Sequence, residues 1–317
     1  MYWAKSVEEF CRNILIENQK YFSEILNKAS YKEYLTKMLN DFTGNVKLKT
    51  ILIKTSVTGN RNKNHEINDF ILEHVFLTLR KINSSVKIFL CDGPAYVDSF
   101  ENECKRLGWY EIAKKYKVEI VDLNYDEYKM MDSIPVSKLW LSADKVINIS
   151  KAKTHKRFGV TLSSKNLLGV LPGKILGYPK FNNGHEKILS IINMLVNNSA
   201  KSLNIIDGIN GIEGNGPMEG DANKSNFVVI GENPYNCDIL ATIEMGFHPA
   251  ATIGTIRPFG NKYDDETYFN SIYQLRKTNV NFIPNWKHSW MYKSLYMRNK
   301  RLEKIYQILL REISKYF

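Results

Sequence analysis

The sequence predicts an α/β fold: a mainly parallel sheet with helices on both faces, a helical N-terminal preface and a C-terminal helix. Three observations predict it. Apolar runs short enough for strands alternate with segments of helical periodicity. The strand-like runs, such as VKLKTILIKT (46–55) and SVKIFLCD (85–92), are nearly continuous in apolar residues, as strands buried on both faces are. The polar residues that could do chemistry gather just after those runs, where ligands sit in open α/β sheets.

Taken in order, residues 6–42 carry helical spacing through Phe10, Ile14, Phe22, Leu26, Leu35, Met38 and Leu39. A strand at 46–55 leads into the polar loop SVTGNRNKNHE, and INDFILEHVFLTLRKI (67–82) reads as a helix. After the 85–92 strand, residues 98–116 read as a helix, 117–123 as a strand, and LSADKVINIS (141–150) ends in another strand. Helical segments are expected near 160–169, from about Gly159, and at 185–197; strands at 202–208 and 226–232; and a helix at 234–246. This divides the chain into a helical segment (1–45), an α/β domain (46–260) and a basic aromatic helical segment (261–317).

Composition narrows the class. The 317 residues are 44% hydrophobic, enough for a large core. Eighteen consecutive apolar residues occur nowhere, so no membrane-spanning helix is expected. The start, MYWAKSVEEFCRN, lacks an apolar signal core. Cys11, Cys91, Cys104 and Cys237 are scattered without a CxxC pair, which fits reduced thiols in a cytoplasm. The net charge of +11 suits either a solvated lysine-rich surface or an anionic partner.

The stretch SKAKTHKRFGVTLSSKNLLG (150–169) holds Lys151, Lys153, His155, Lys156 and Arg157 where a strand is expected to end. Strand end, lysines and a nearby helix start together favour phosphate or carboxylate; a solvated basic turn is the competing reading. Lys165 and Asn166 follow among Leu162, Leu167 and Leu168, where a lysine is partly buried unless it meets an acid, such as Asp207, or a ligand. The stretch IIDGINGIEGNGP (205–217) places glycines at 208, 211, 214 and 216. Crowded backbone N–H groups there would make an anion-binding nest, and a turn-rich surface loop is the alternative. Asp207 and Glu213 could hold a divalent cation through oxygen. Of the histidines, His74 falls in an apolar helix pattern and reads as packing, whereas His155 and His185 lie near the expected crevice and suit acid–base work.

These residues put His155, Lys165, Asn166 and His185 forward for catalysis. Lys54, Lys153, Thr154, Thr161, Gly208, Gly214, Asn215 and Gly216 are candidates for binding a small anionic metabolite. Isomerisation, group transfer, or redox with an external cofactor would all suit these residue types. The tail 285–317 has eight Lys/Arg, two Glu and an aromatic-rich helical stripe. It reads first as a docked helix, then as a peripheral membrane contact, and after these as a nucleic-acid face. A non-catalytic anion-binding protein attached by this tail is the alternative to an enzyme.

The runs KAKTHKRFGVTLSSKNLLG, DGINGIEGNGP and GENPYNCDILATIEMGF resemble the domain-of-unknown-function 362 family, DUF362, over roughly 49–258. The resemblance assigns motif positions to Lys151, Lys153, Thr154, His155, Gly159 to Thr161, Lys165, Asn166, Gly169, His185, Asp207 to Pro217, and Asp238. The first strand departs from the family's K-P-N ending with Lys54-Thr55-Ser56. Many members carry a ferredoxin-like C-x-x-C-x-x-C run; this chain has none, so no iron–sulfur cluster is expected.

Overall fold

The computed structural model describes residues 28–44, 47–60, 62–155, 158–173, 185–199 and 201–247. The expectations for 1–27 and for the 261–317 segment lie outside these residues.

Helix α1 (Lys28–Thr43) precedes strand β1 (Thr50–Lys54). Then come α2 (Asp69–Ile82), β2 (Lys87–Asp92), α3 (Phe100–Leu107), α4 (Trp109–Lys115) and β3 (Glu119–Asp122). The hairpin β4 (Tyr128–Met131) and β5 (Ile134–Ser137) leads through α5 (Lys138–Ser142) to the long β6 (Lys145–His155). After β7 (Gly159–Thr161) and α6 (Ser163–Asn166) come α7 (His185–Asn197), β8 (Ser202–Glu213), β9 (Asp221–Asn223), β10 (Phe227–Gly231) and α8 (Pro234–Glu244).

The main sheet runs β10-β8-β6-β1-β2-β3, with β7 against β6 and β9 against β8. The four central pairings are parallel, while β10, β7 and β9 join antiparallel. The α/β class and the mainly parallel sheet therefore hold. From β1 the chain winds outward to β2 and β3, then returns to place β6 on the other side of β1. That reversal opens a crevice at the carboxyl ends of β1 and β6.

The central strands β1, β2, β6 and β8 bury both faces. Ile51, Ile53, Ile88, Leu90, Ile147 and Ile149 pack against α1, α2, α3 and α4. Leu52, Cys91 and Val146 pack on the other side with Trp140, Leu168, Ile192 and Leu195. Helix α8 covers Ile206 and Val229 on β8 and β10 through Leu240 and Ala241. His74 joins α1 to α2, its Nε2 lying 2.9 Å from Thr36 Oγ1, which is the packing role its helical position predicted. The helix expected over 98–116 is two, broken at Gly108, whose φ of 81° lies in the left-handed region.

Two differences reshape the site. The strand expected to end at Ser150 continues to His155, so KAKTH is not a loop. The glycine-rich stretch is likewise strand as far as Glu213, and two steps along β6 (Lys151 to Lys153) match five along β8 (Asp207 to Ile212). The extra residues form a bulge, a frequent use of glycine in strands.

Candidate active site

At the carboxyl ends of β1, β2 and β6 lies a cleft with about 650 Å³ of empty space, open to solvent. Lys54, Lys151, Lys153, Thr161, Lys165 and Asn166 line it, joined by Asp92 to Tyr96 after β2 and by Pro217 and Met218 after the glycine-rich bend. Residues from four separated sequence stretches thus meet in one hollow.

Three lysines on this edge are buried, with Lys54 at 0%, Lys151 at 2% and Lys153 at 1% exposure. A buried ammonium needs an opposite charge and hydrogen bonds. Lys54 has both: Nζ lies 2.7 Å from Asp92 Oδ1 and donates to Thr55 O at 2.6 Å and Asn166 Oδ1 at 3.2 Å. Its donors are filled, so Lys54 braces the wall and has no N–H left for a substrate. Asp92 in turn accepts from Val57 N at 2.8 Å, tying the β1 loop to β2. Lys151 donates to Asp207 Oδ2 at 2.9 Å, its in-register neighbour on β8.

Lys153 is different. Its Nζ is buried and has no hydrogen-bond partner among the described residues. Burial holds its pKa below the usual lysine range; Glu66 opposes this, the Lys151 ammonium adds to it, and Asp92 and Asp207 oppose it more weakly. His65 lies on the same side of the sheet, 4% exposed, with Nδ1 also unpartnered among the described residues. Burial lowers the His65 pKa, and Lys153 and Lys151 add to the effect. Sequence reasoning passed over His65 and Glu66. They sit in a polar loop, and only the fold lays that loop against β8, where Asn68 N donates to Asp207.

Several expected roles are corrected. Asn166 lines the cleft, but both its amide hydrogens are used, toward Asn148 Oδ1 at 2.8 Å and Ile149 O at 3.2 Å. It cannot also donate to a developing oxyanion, so it positions Lys54 instead. His155 ends β6 away from the cleft lining, and its Nδ1 accepts from Phe158 N at 3.2 Å. Thr154 Oγ1 donates to Gly214 O at 3.0 Å, stapling β6 to the bend. At Gly216 a Cβ would stand 2.5 Å from Thr154 O, so the close approach needs glycine. Gly208 packs under the Phe227 ring, where a Cβ would come within 2.4 Å. Gly214 has φ +67° and open space around it, and Asn215 is exposed. These residues shape a bulged strand and its bend and do not form an anion nest in the cleft.

The cation pair is corrected too. Asp207 is occupied by Lys151, Asn68 N (2.8 Å) and Ile209 N (3.0 Å). Glu213, six residues along the bulged strand, holds Asn223 Nδ2 at 2.6 Å. No group of three or more His, Cys, Asp or Glu able to hold a metal occurs among the described residues. Lys165 and Thr161 do line the cleft, with the Lys165 ammonium 5.5 Å from the Phe158 ring centroid. The expected helix from Gly159 starts instead at Ser163, after β7. His185 begins α7, and its side chain lies outside the described residues.

The turn carrying Lys165 and Asn166 is held from behind. Asp238, fully buried on α8, accepts from Ser163 N at 2.7 Å and Ser164 N at 3.1 Å, and from the Ser164 hydroxyl. Burial pushes its carboxyl from an ordinary 3.8 up to about 7, against those three hydrogen bonds. Beneath the turn, Asn148 Nδ2 donates to Asn204 Oδ1 at 2.8 Å, across paired strands.

A family profile, domain of unknown function (DUF362), matches residues 51–242, which contain the whole cleft lining. The chain belongs to the DUF362 family. It is 28% identical over 208 residues to a thylakoid-associated protein of Synechocystis sp., a match covering 63% of this chain and 64% of that protein. The chain therefore aligns with less than two thirds of that relative's length. A lactate racemase apoprotein from Thermoanaerobacterium thermosaccharolyticum superposes with a TM-score of 0.41 at 16% identity, over 66% of this chain and 55% of that one. Among the described residues, no helix is long and apolar enough to cross a membrane.

Proposed function

We propose that this DUF362 protein is an enzyme acting on a small anionic metabolite, with the carboxylate or phosphate drawn into the cleft by Lys153 and Lys165. The observation that carries this reading is Lys153: a buried lysine without an acceptor among the described residues, lining the cleft. An anion entering there would supply the charge-assisted hydrogen bonds that the described residues do not give it. Lys54, Asp92 and Asn166 keep the wall rigid, and Thr161 offers a hydroxyl. The test is a thermal-shift titration with inorganic phosphate and short carboxylates. A rise in melting temperature in the parent that Lys153→Met abolishes supports the reading; equal shifts in both proteins overturn it.

A second reading is favoured by the thylakoid association of the Synechocystis relative. In it the protein works at a membrane surface, held by the basic aromatic tail 285–317. Flotation with anionic vesicles at low salt tests this: retention lost on deleting the tail supports it.

A further inference from the structure

An unpaired buried lysine can be relieved in two ways. An anion can approach it, or it can give up its proton and persist as a neutral amine. Lys54 and Lys151 need neither, because carboxylates lie 2.7 Å and 2.9 Å from their nitrogens. Lys153 stands at the alternate position to Lys151 on β6, with its nitrogen buried and without an acceptor. Burial without an acceptor and the Lys151 ammonium favour the free amine over the pull of Glu66, Asp92 and Asp207, and the free amine is the state in which lysine attacks carbonyl carbon. The cleft that Lys153 lines also contains Lys165, placed to take a charged group on the same molecule.

We infer that Lys153 forms a Schiff base with a small carbonyl compound that also carries a carboxylate or phosphate. This deepens the anion-cleft reading and rests on it. The Nζ lone pair adds to the carbonyl carbon, and the C=O electron pair moves to oxygen. That oxygen takes a proton as nitrogen loses one, giving a carbinolamine. The C–O bond then breaks, oxygen leaves as water with a second proton, and the C=N bond forms. Amine and carbonyl give imine and water, with no oxidant or reductant consumed. The anionic group has a further use: once the imine nitrogen is protonated, the substrate itself brings the charged acceptor that no described residue offers Lys153. A neutral ketone or aldehyde would bring none, which predicts selectivity for anionic carbonyl compounds.

The full chain is incubated with pyruvate or with glycolaldehyde phosphate, then with cyanoborohydride, which reduces an imine to a stable secondary amine. Peptide mass mapping locates the adduct. The expected result is a single reduced adduct on Lys153 with at least one probe, much weaker labelling by acetone, and no adduct at this position in Lys153→Arg, which keeps the charge. If that variant does not fold, site mapping on the parent protein decides alone. Labelling spread over surface lysines, or none on Lys153, overturns the inference. Propionate and inorganic phosphate keep the anion and lack the carbonyl. Should they raise the parent's melting temperature while pyruvate and glycolaldehyde phosphate leave no adduct on Lys153, the Schiff base falls and the anion cleft stands. Should none of the four ligands shift melting or label Lys153, both fall.

Discussion

Lys54, Lys151 and Lys153 are chemically alike and equally buried, yet removing each should have a different effect. Lys54 and Lys151 belong to ion pairs with Asp92 and Asp207. Removing one partner of a buried pair strands the other charge, at about 3–5 kcal/mol. Asp207→Asn should therefore lower the urea midpoint markedly by leaving Lys151 unpaired; an unchanged midpoint would show the pair to be dispensable. Lys153→Met should do the reverse and stabilise the fold, because it removes a charge with no acceptor. The folded-state pKa of Lys153 is depressed, so the unfolded chain binds its proton more tightly. The resulting penalty is complete below the folded value and fades as pH rises toward the ordinary 10.5. The variant should melt above the parent at pH 7, by about 2–4 °C for each kcal/mol recovered, and the gap should close as pH approaches 10.5. A gap independent of pH would mean that packing, not charge, is responsible.

At the scale of elements, the cleft depends on a short turn that could not hold itself. Helix α6 has four residues and no side-chain cap of its own, and Asp238 on α8 takes over that task. Asp238→Ala should cost about 0.5–2 kcal/mol, as loss of a cap does, and should weaken phosphate binding by moving Lys165. Binding unchanged in the folded variant would separate the turn from the site. The Asp238 carboxyl also gives a pH signature. Its folded pKa of about 7 exceeds the ordinary 3.8, so its contribution is complete below 3.8 and lost as pH rises through 7. Parent stability should fall across that window more steeply than that of Asp238→Asn, as read from urea midpoints. Gly169 closes the same wall, since a Cβ there would stand 2.4 Å from Asp92 Oδ1 and 2.6 Å from Lys54 Nζ. Gly169→Ala should loosen the ion pair and lower both stability and anion affinity.

Across the whole molecule, one sheet connects the core to the cleft. Helix α1 is part of that core: Leu35 and Leu39 are fully buried in the cluster that includes Ile53 and Leu90. Leu39→Ala should cost about 2–5 kcal/mol, the range for buried leucines, checked by chemical denaturation; a smaller loss would mean the helix docks loosely. The sequence by itself determined the alternation of strands and helices, the crevice at the strand ends, and the gathering of Lys54, Lys153, Thr161 and Lys165 there. Apolar periodicity and burial obey local rules, and the position of a crevice follows from chain order. Only the tertiary structure decided what each polar group does. Lys54 meets Asn166 across 112 residues and Lys151 meets Asp207 across 56, so no local window could tell a satisfied lysine from an unsatisfied one. The same holds for the strand that replaced the expected basic loop. A lysine in a β-strand is unremarkable until the fold brings a carboxylate within hydrogen-bond reach of Lys151 and, among the described residues, no acceptor to Lys153. Charge is written in the sequence, but whether a charge is neutralised depends on distance in three dimensions, which the fold alone sets.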